Sequence, residues 1–176
     1  TRKISKGIAR IKKALDDRKS FEPIYLGNIY AKRDWSHAED FVDGVWRTLN
    51  QDEYNPELWG LTGSNLVNKL QEYVLSSNET HSVKEFIDLA CDYAGLSVRW
   101  RYNGEKSEIN EVLSLENNDS EIVVKIDPKF YRPADVTLLH GNSNKARREL
   151  GWKPKISFDY LVKEMVAYDL IASAFV

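Results

Sequence analysis

Apolar positions along the chain fall into helical blocks separated by short runs of a different period. Ile4, Ile8, Ile11 and Leu15 recur at intervals of four, three and four with Lys and Arg between them. That spacing gives an amphipathic helix with one stripe turned to a core. Phe21-Glu22-Pro23 is expected to end it, and Ile24-Tyr25-Leu26 to form a short buried strand closed by Gly27-Asn28. A second helix is expected from Ser36, because Ser36-His37-Ala38-Glu39 has capping-box spacing. Its buried face would carry Ala38, Phe41, Val42, Val45, Trp46 and Leu49. Residues 50–70 lose the periodicity, contain Asn55-Pro56, Gly60 and Gly63, and read as a loop or weakly ordered insertion at 52–70. Tyr73-Val74-Leu75 suggests a strand. Ser82-Val83-Lys84-Glu85 is a second capping box, opening a helix with Phe86, Ile87, Ala90, Tyr93 and Ala94 inside and Gly95 at its C-cap. Leu96, Val98 and Trp100 alternate as a half-buried strand, and Asn103-Gly104 turns. A polar stretch over 104–121 follows, with its loop tip at 117–120, and Ile122, Val124 and Ile126 form a strand stopped by Asp127-Pro128. Asn142 or Ser143 should cap a short helix ending at Leu150-Gly151, and Ser157 should start a last helix with Phe158, Leu161, Val162, Met165 and Val166. Short strands alternate with helices and no repeat period appears, which makes the class α/β.

Composition narrows the picture. Of 176 residues, 42% are hydrophobic and 30% charged, the profile of a soluble globular chain and not of a disordered or membrane protein. Twenty-five Lys and Arg against 27 Asp and Glu leave a net charge of −2, so net charge gives no reason to expect nucleic acid. The longest apolar runs are too short to span a bilayer. A single cysteine, Cys91, excludes an internal disulfide and a Cys-based zinc site and suits a reducing, cytoplasmic setting. Mid-helix between Ala90 and Asp92, it reads as a structural thiol. His37, His81 and His140 have no partner at metal-ligand spacing, so no metal site is expected. G-x-G-x-x-G, Walker A, G-x-S-x-G and H-E-x-x-H patterns are all missing from the sequence. Tyr102 and Lys106 have the Y-x-x-x-K spacing of a hydride-transfer pair, but that pair needs a helix and Asn103-Gly104 between them signals a turn. The chain opens on Thr1 and not on Met, which reads as a processed product or an excised piece.

Two segments carry candidate chemistry. In Ala31-Lys32-Arg33-Asp34-Trp35-Ser36-His37-Ala38-Glu39-Asp40, an arginine precedes a capped helix start by three residues, a setting that suits an anion. In Lys129-Phe130-Tyr131-Arg132-Pro133-Ala134-Asp135-Val136, Pro133 should hold Arg132 extended with Asp135 three residues on. Two converging arginines could each give bidentate bonds to a diphosphate, with a carboxylate beside them for ribose hydroxyls. From spacing alone, the same residues also read as solvated surface charges. Trp35, Trp46, Trp100 and Trp152 read as core or interface packing, His37 and His81 as structural residues at helix starts, and Arg147-Arg148 as a solvated helix face.

Taken in order, several motifs resemble the GDP-mannose 4,6-dehydratase family of the extended short-chain dehydrogenase/reductase superfamily. They are Thr1-Arg2-Lys3-Ile4, Leu26-Gly27-Asn28 with Ala31-Lys32-Arg33-Asp34-Trp35, Glu79-Thr80-His81-Ser82-Val83-Lys84-Glu85-Phe86, the 127–136 segment, and Leu150-Gly151-Trp152-Lys153-Pro154 followed by Leu161–Val166. The resemblance covers nearly the whole chain apart from 52–70 and the loop around 104–121. It implies the C-terminal, substrate-binding part of a Rossmann-type enzyme, spanning residues 1–176, with the NADP-binding portion and the catalytic Tyr and Lys not included. By the same resemblance, Arg33 and Arg132 would hold the diphosphate of GDP-mannose and Lys3 would contact the nucleotide side. Asp135 stands where the family usually has Glu and related epimerases use Asp for the nucleotide ribose. The family reaction oxidises C4 of the mannose with NADP⁺, eliminates water across C5 and C6, and returns the hydride to C6, giving GDP-4-dehydro-6-deoxy-mannose. A lyase working as a homodimer or homotetramer is therefore implied, with this chain positioning substrate and inactive in isolation. Two alternatives stand beside it: a non-catalytic nucleotide-sugar-binding module, and another dehydratase or epimerase of the superfamily. Because the two parts of such an enzyme share one core, this chain alone is expected to expose an apolar surface and to be marginally stable.

Overall fold

The computed structural model describes residues 1–131 and 136–174. Its helices are α1 (Arg2–Asp16), α2 (Ala38–Leu49), α3 (Gln51–Tyr54), α4 (Gly63–Val67), α5 (Val83–Tyr93), α6 (Asn144–Glu149) and α7 (Phe158–Ala174). The strands are β1 (Ile24–Leu26), β2 (Lys32–Arg33), β3 (His81–Ser82), β4 (Val98–Tyr102), β5 (Glu111–Leu115), β6 (Asn118–Ile126) and β7 (Leu138–Leu139). This is the mixed α/β class that the pattern predicts. The chain forms two units, one from residues 1–32, 82–137 and 162–176, the other from 33–81 and 138–161.

The first unit is built on a four-stranded sheet in the order β1-β6-β5-β4. β1 runs parallel to β6, with Ile24 opposite Val124 and Leu26 opposite Ile126, and the other pairs are antiparallel. α1 packs on β1 and α5 and buries Ile4, Ile8 and Ile11, while Leu15 is half-buried. α5 buries Phe86, Ile87, Ala90 and Cys91. Its capping box forms in full: the Glu85 N–H donates to Ser82 Oγ at 3.0 Å and the Ser82 N–H to Glu85 Oε2 at 2.9 Å. Gly95, at φ +68°, closes it as expected.

Two expectations fail in this unit. α1 stops at Asp16 and not at Phe21-Glu22-Pro23, because Arg18 turns into the left-handed region at φ +56°. The Arg18 N–H then donates to Leu15 O and the Lys19 N–H to Ala14 O, the paired bonds that close a Schellman turn. The stretch 104–121 is not a polar loop throughout. β5 lies inside it, buried at all five positions, and the hairpin to β6 turns at 116–117, so residues 118–120 belong to the strand and not to the tip. Glu111 opens β5 from a buried position because Tyr30 Oη and Lys84 Nζ both donate to its carboxylate.

The second unit centres on Ala146, Leu150 and Trp152, with Tyr54, Tyr73 and Leu75 packed against them. Tyr73-Val74-Leu75 is thus extended packing, without a ladder partner among the described residues. Residues 51–67 carry helical turns where a loop was expected: α3, a 3-10 turn at Pro56–Leu58, and α4. Gln51 is buried and ties off the segment. Its Oε1 accepts the Gln71 N–H at 2.7 Å, and its Nε2 donates to Gln71 O at 3.3 Å.

α2 departs most from expectation. Its N-cap is His37 and not Ser36: the Glu39 N–H donates to His37 Nδ1 at 3.2 Å. The buried residues are Asp40 and Gly44, whereas Phe41, Val42, Val45, Trp46 and Leu49 are 37% to 76% exposed. Hydrogen bonds select that face. The Lys155 and Ile156 N–H groups donate to the two Asp40 carboxylate oxygens at 2.9 and 3.1 Å, and Trp152 Nε1 donates to Asp40 O at 2.9 Å. Arg47 donates to Leu150 O at 2.8 Å. A Cβ on Gly44 would lie 2.6 Å from Leu75 Cδ1 and 2.9 Å from Trp152 Nε1, so a larger residue there would have to displace both side chains. An exposed apolar surface is present, but it is the stripe of α2 and not the face of Ile4, Ile8 and Ile11, which is buried.

Candidate functional site

Of the four residues singled out for binding, the structure describes two; Arg132 and Asp135 lie outside the described residues. Lys3 belongs to the first unit, in the opening turn of α1. Its Nζ donates to Tyr25 O on β1 and sits 4.1 Å from the centroid of the Phe130 ring. Phe130 ends the 3-10 turn Pro128–Phe130, capped by Asp127, whose Oδ1 accepts the Lys129 N–H at 2.9 Å. Gly27 makes this assembly possible. A Cβ there would lie 2.2 Å from Phe130 O, so the turn after β1 touches the turn after β6 backbone to backbone. Lys3 thus stands beside the two turns that follow the parallel pair β1–β6, and one of them runs on to Tyr131.

Arg33 belongs to the second unit, at the end of β2, and is half-buried. Its setting is fixed by the next two residues. Asp34 Oδ1 accepts the Ser77 N–H at 2.8 Å and the Ser77 hydroxyl at 2.6 Å. Its Oδ2 accepts the Asn78 and Gly141 N–H groups at 3.2 and 3.4 Å. Trp35 stacks on Phe158 at 5.5 Å between centroids, and His81 stacks on the same ring at 3.9 Å. The motif pieces 33–35 and 79–82 therefore meet at the first residue of α7, and Trp35 and His81 serve as packing residues, as read from the sequence.

Sequence reasoning missed Arg147 and Asn78. Arg147 is not a solvated charge: its Nη2 donates to Ser77 O at 2.9 Å and its Nε to Ser143 Oγ at 3.2 Å, while Arg148 is exposed as expected. Asn78 takes φ +65° and its Oδ1 accepts the Ser143 N–H at 2.8 Å. Asp34, Asn78, Ser143 and Arg147 together lock residues 76–78 and 141–143 around the Arg33 strand. Asn78 in a left-handed turn was the one local signal available. Trp46 is 58% exposed and lies outside the core; Trp152 is fully buried, and Trp100 Nε1 donates to Asp88 at 2.7 Å under the Lys84 ammonium.

Titratable groups follow their surroundings. The buried Cys91 thiol is pushed up to about 12, first by desolvation and then by Asp88 and Asp92, and it is no nucleophile at neutral pH. The Tyr30 hydroxyl is held well above its ordinary value by its bond to Glu111. Among the described residues no cluster of His, Cys, Asp or Glu could hold a metal ion, and no helix is long and apolar enough to cross a membrane.

Tyr102 and Lys106 form no hydride-transfer pair. Tyr102 ends β4 and Lys106 follows Gly104 at φ +105°, so the two do not share a helix face. The fold itself is of the extended Rossmann-type class. RMD from Pseudomonas aeruginosa, solved complexed with NADPH, superposes with a TM-score of 0.62 at 18% identity, covering 97% of this chain and 42% of that one. UDP-glucose 4-epimerase from Bifidobacterium longum, solved with NAD+ and UDP, gives 0.58 at 16% identity, covering 97% and 39%. The family is set by sequence: the GDP-mannose 4,6 dehydratase model matches residues 1–165, and the chain belongs to that family. The GDP-mannose 4,6 dehydratase of Dictyostelium discoideum is 40% identical over 170 residues, which is 97% of this chain and 40% of that protein. The chain spans about two fifths of the length of the curated relatives it matches.

Proposed function

We propose that this chain is the nucleotide-sugar-binding portion, residues 1–176, of a GDP-mannose 4,6-dehydratase. That enzyme is a hydro-lyase converting GDP-mannose to GDP-4-dehydro-6-deoxy-mannose, the precursor of GDP-fucose and GDP-rhamnose. The observation that carries the reading is family membership over residues 1–165. Arg33 and Arg132 grip the diphosphate in bidentate, charge-assisted bonds, Asp135 accepts from the ribose, and Lys3 contacts the nucleotide side. In this reading Asp34 and Arg147 act one step removed, by holding the loops that frame Arg33. NADP is the internal hydride carrier of the family reaction. It would be bound mainly by a portion of the enzyme other than this chain, whose sequence has no glycine-rich dinucleotide turn. In this reading other parts of the enzyme carry out proton and hydride transfer, and this chain contributes orientation. The whole enzyme would act in the cytoplasm as a homodimer or homotetramer.

Titration calorimetry with GDP-mannose, GDP and UDP-glucose tests the reading. GDP-mannose and GDP should bind and UDP-glucose should not. Arg33→Ala should weaken GDP-mannose about tenfold or more, the loss expected for a charge-assisted contact. Equal binding by wild type and Arg33→Ala, both folded by circular dichroism, overturns the assignment.

A further inference from the structure

The first nineteen residues hold eight of the chain's 25 Lys and Arg against two acids, in a protein whose net charge is −2. Four of them, Arg2, Lys6, Arg10 and Lys13, follow one another at intervals of four, four and three and share one face of α1. They extend over about 16 Å of helix axis. This face is concave in its setting: with Tyr168 and Asp169 of α7 it encloses a groove of about 660 Å³, within the first unit, that includes neither Lys3 nor Arg33. The opposite face of α1 buries Ile4, Ile8 and Ile11, so the helix has no apolar side left to insert into lipid. A groove of this volume suits a small molecule.

We propose that this groove binds a small molecule carrying a chain of two or more phosphate groups. Successive cations about 6 Å apart on long stems can converge on neighbouring phosphates, an arrangement a single orthophosphate does not use. Three of the four cations are held in place: Arg2 Nη2 lies 3.1 Å from Asp169 Oδ1, a carboxylate that is 2% exposed, Arg10 Nη2 donates to Glu22 O at 2.7 Å, and Lys13 Nζ lies 3.3 Å from Asp17, which also lines the groove. Asp169 Oδ2 has no hydrogen-bond partner among the described residues. Tyr168, 61% exposed, lines the groove beside Asp169 and offers a ring to an esterified ligand.

Calorimetry and amide-shift mapping at low ionic strength, using inorganic tripolyphosphate, orthophosphate and adenosine triphosphate, test the proposal. Tripolyphosphate should bind saturably, at least tenfold tighter than orthophosphate, and shift amides of α1 and α7. Lys6→Gln should weaken it about five- to tenfold, Lys6→Arg should restore it, and Arg33→Ala should leave it unchanged, which separates this site from the GDP-mannose reading. Lys12→Gln removes the same charge from α1 outside the groove and should stay within twofold. Tighter binding of adenosine triphosphate than of tripolyphosphate identifies the ligand as an ester, and equal binding identifies the phosphate chain alone. Orthophosphate binding as tightly as tripolyphosphate, absence of saturation, or equal losses in Lys6→Gln and Lys12→Gln overturns the proposal.

Discussion

α1 and α2 are both strongly amphipathic, yet they use their apolar faces in opposite ways. α1 buries Ile4, Ile8 and Ile11 against β1 and α5 and leaves its cations outside. α2 turns Asp40, Gly44 and Arg47 inward and leaves Phe41, Val42, Val45, Trp46 and Leu49 in solvent. Periodicity fixes the helical conformation of both, but the inward face follows from the specific partners each face meets. For α1 the partner is an apolar sheet, and burial of aliphatic area decides. For α2 the partners are the backbone amides of 155 and 156 and the Trp152 indole, and a carboxylate plus a glycine meet them better than a valine could. The result is a contiguous apolar stripe of a kind that soluble domains rarely leave bare.

Matched substitutions sharpen this contrast. The largest effect should come from Ile8→Ala, about 3 kcal/mol of lost stability by urea denaturation, because its side chain is wholly buried. Its counterpart Val45→Ala on α2 should cost less than about 0.5 kcal/mol; a cost above about 1 kcal/mol would mean that the stripe is covered in solution. Asp40→Ala comes next, at about 2 kcal/mol, since two backbone donors lose their buried acceptor. Trp46→Lys should be smallest in stability, within about 0.5 kcal/mol, but should lower binding of a hydrophobic dye and self-association. If dye binding were unchanged, the stripe would not be the accessible apolar surface.

The same contrast explains which parts of the structure were legible in the sequence. α5 could be read whole, because its capping box and Gly95 are local signals that act within a few residues. β5 could not: Glu111 is buried through Tyr30 and Lys84, partners 81 and 27 positions away. The end of α1 was hidden because Arg18 takes a left-handed conformation that the sequence marks with no glycine. At the candidate site, Lys3 and Arg33 were reachable through motifs. The duties of Asp34 and Arg147 depend on loops 43 and 70 residues distant, and no spacing rule reports them.

The backbone contact at Gly27 has a genetic corollary. Position 27 is closed by lack of room, since a side chain would meet Phe130 O at 2.2 Å. A saturation library should therefore treat this residue as immutable although it carries no functional group. Under the proposed function its loss would be scored as a defect in ligand handling, because the displaced turn precedes Arg132 in the chain. A position devoid of chemistry would then rank, under that proposal, with the arginines in a screen for function.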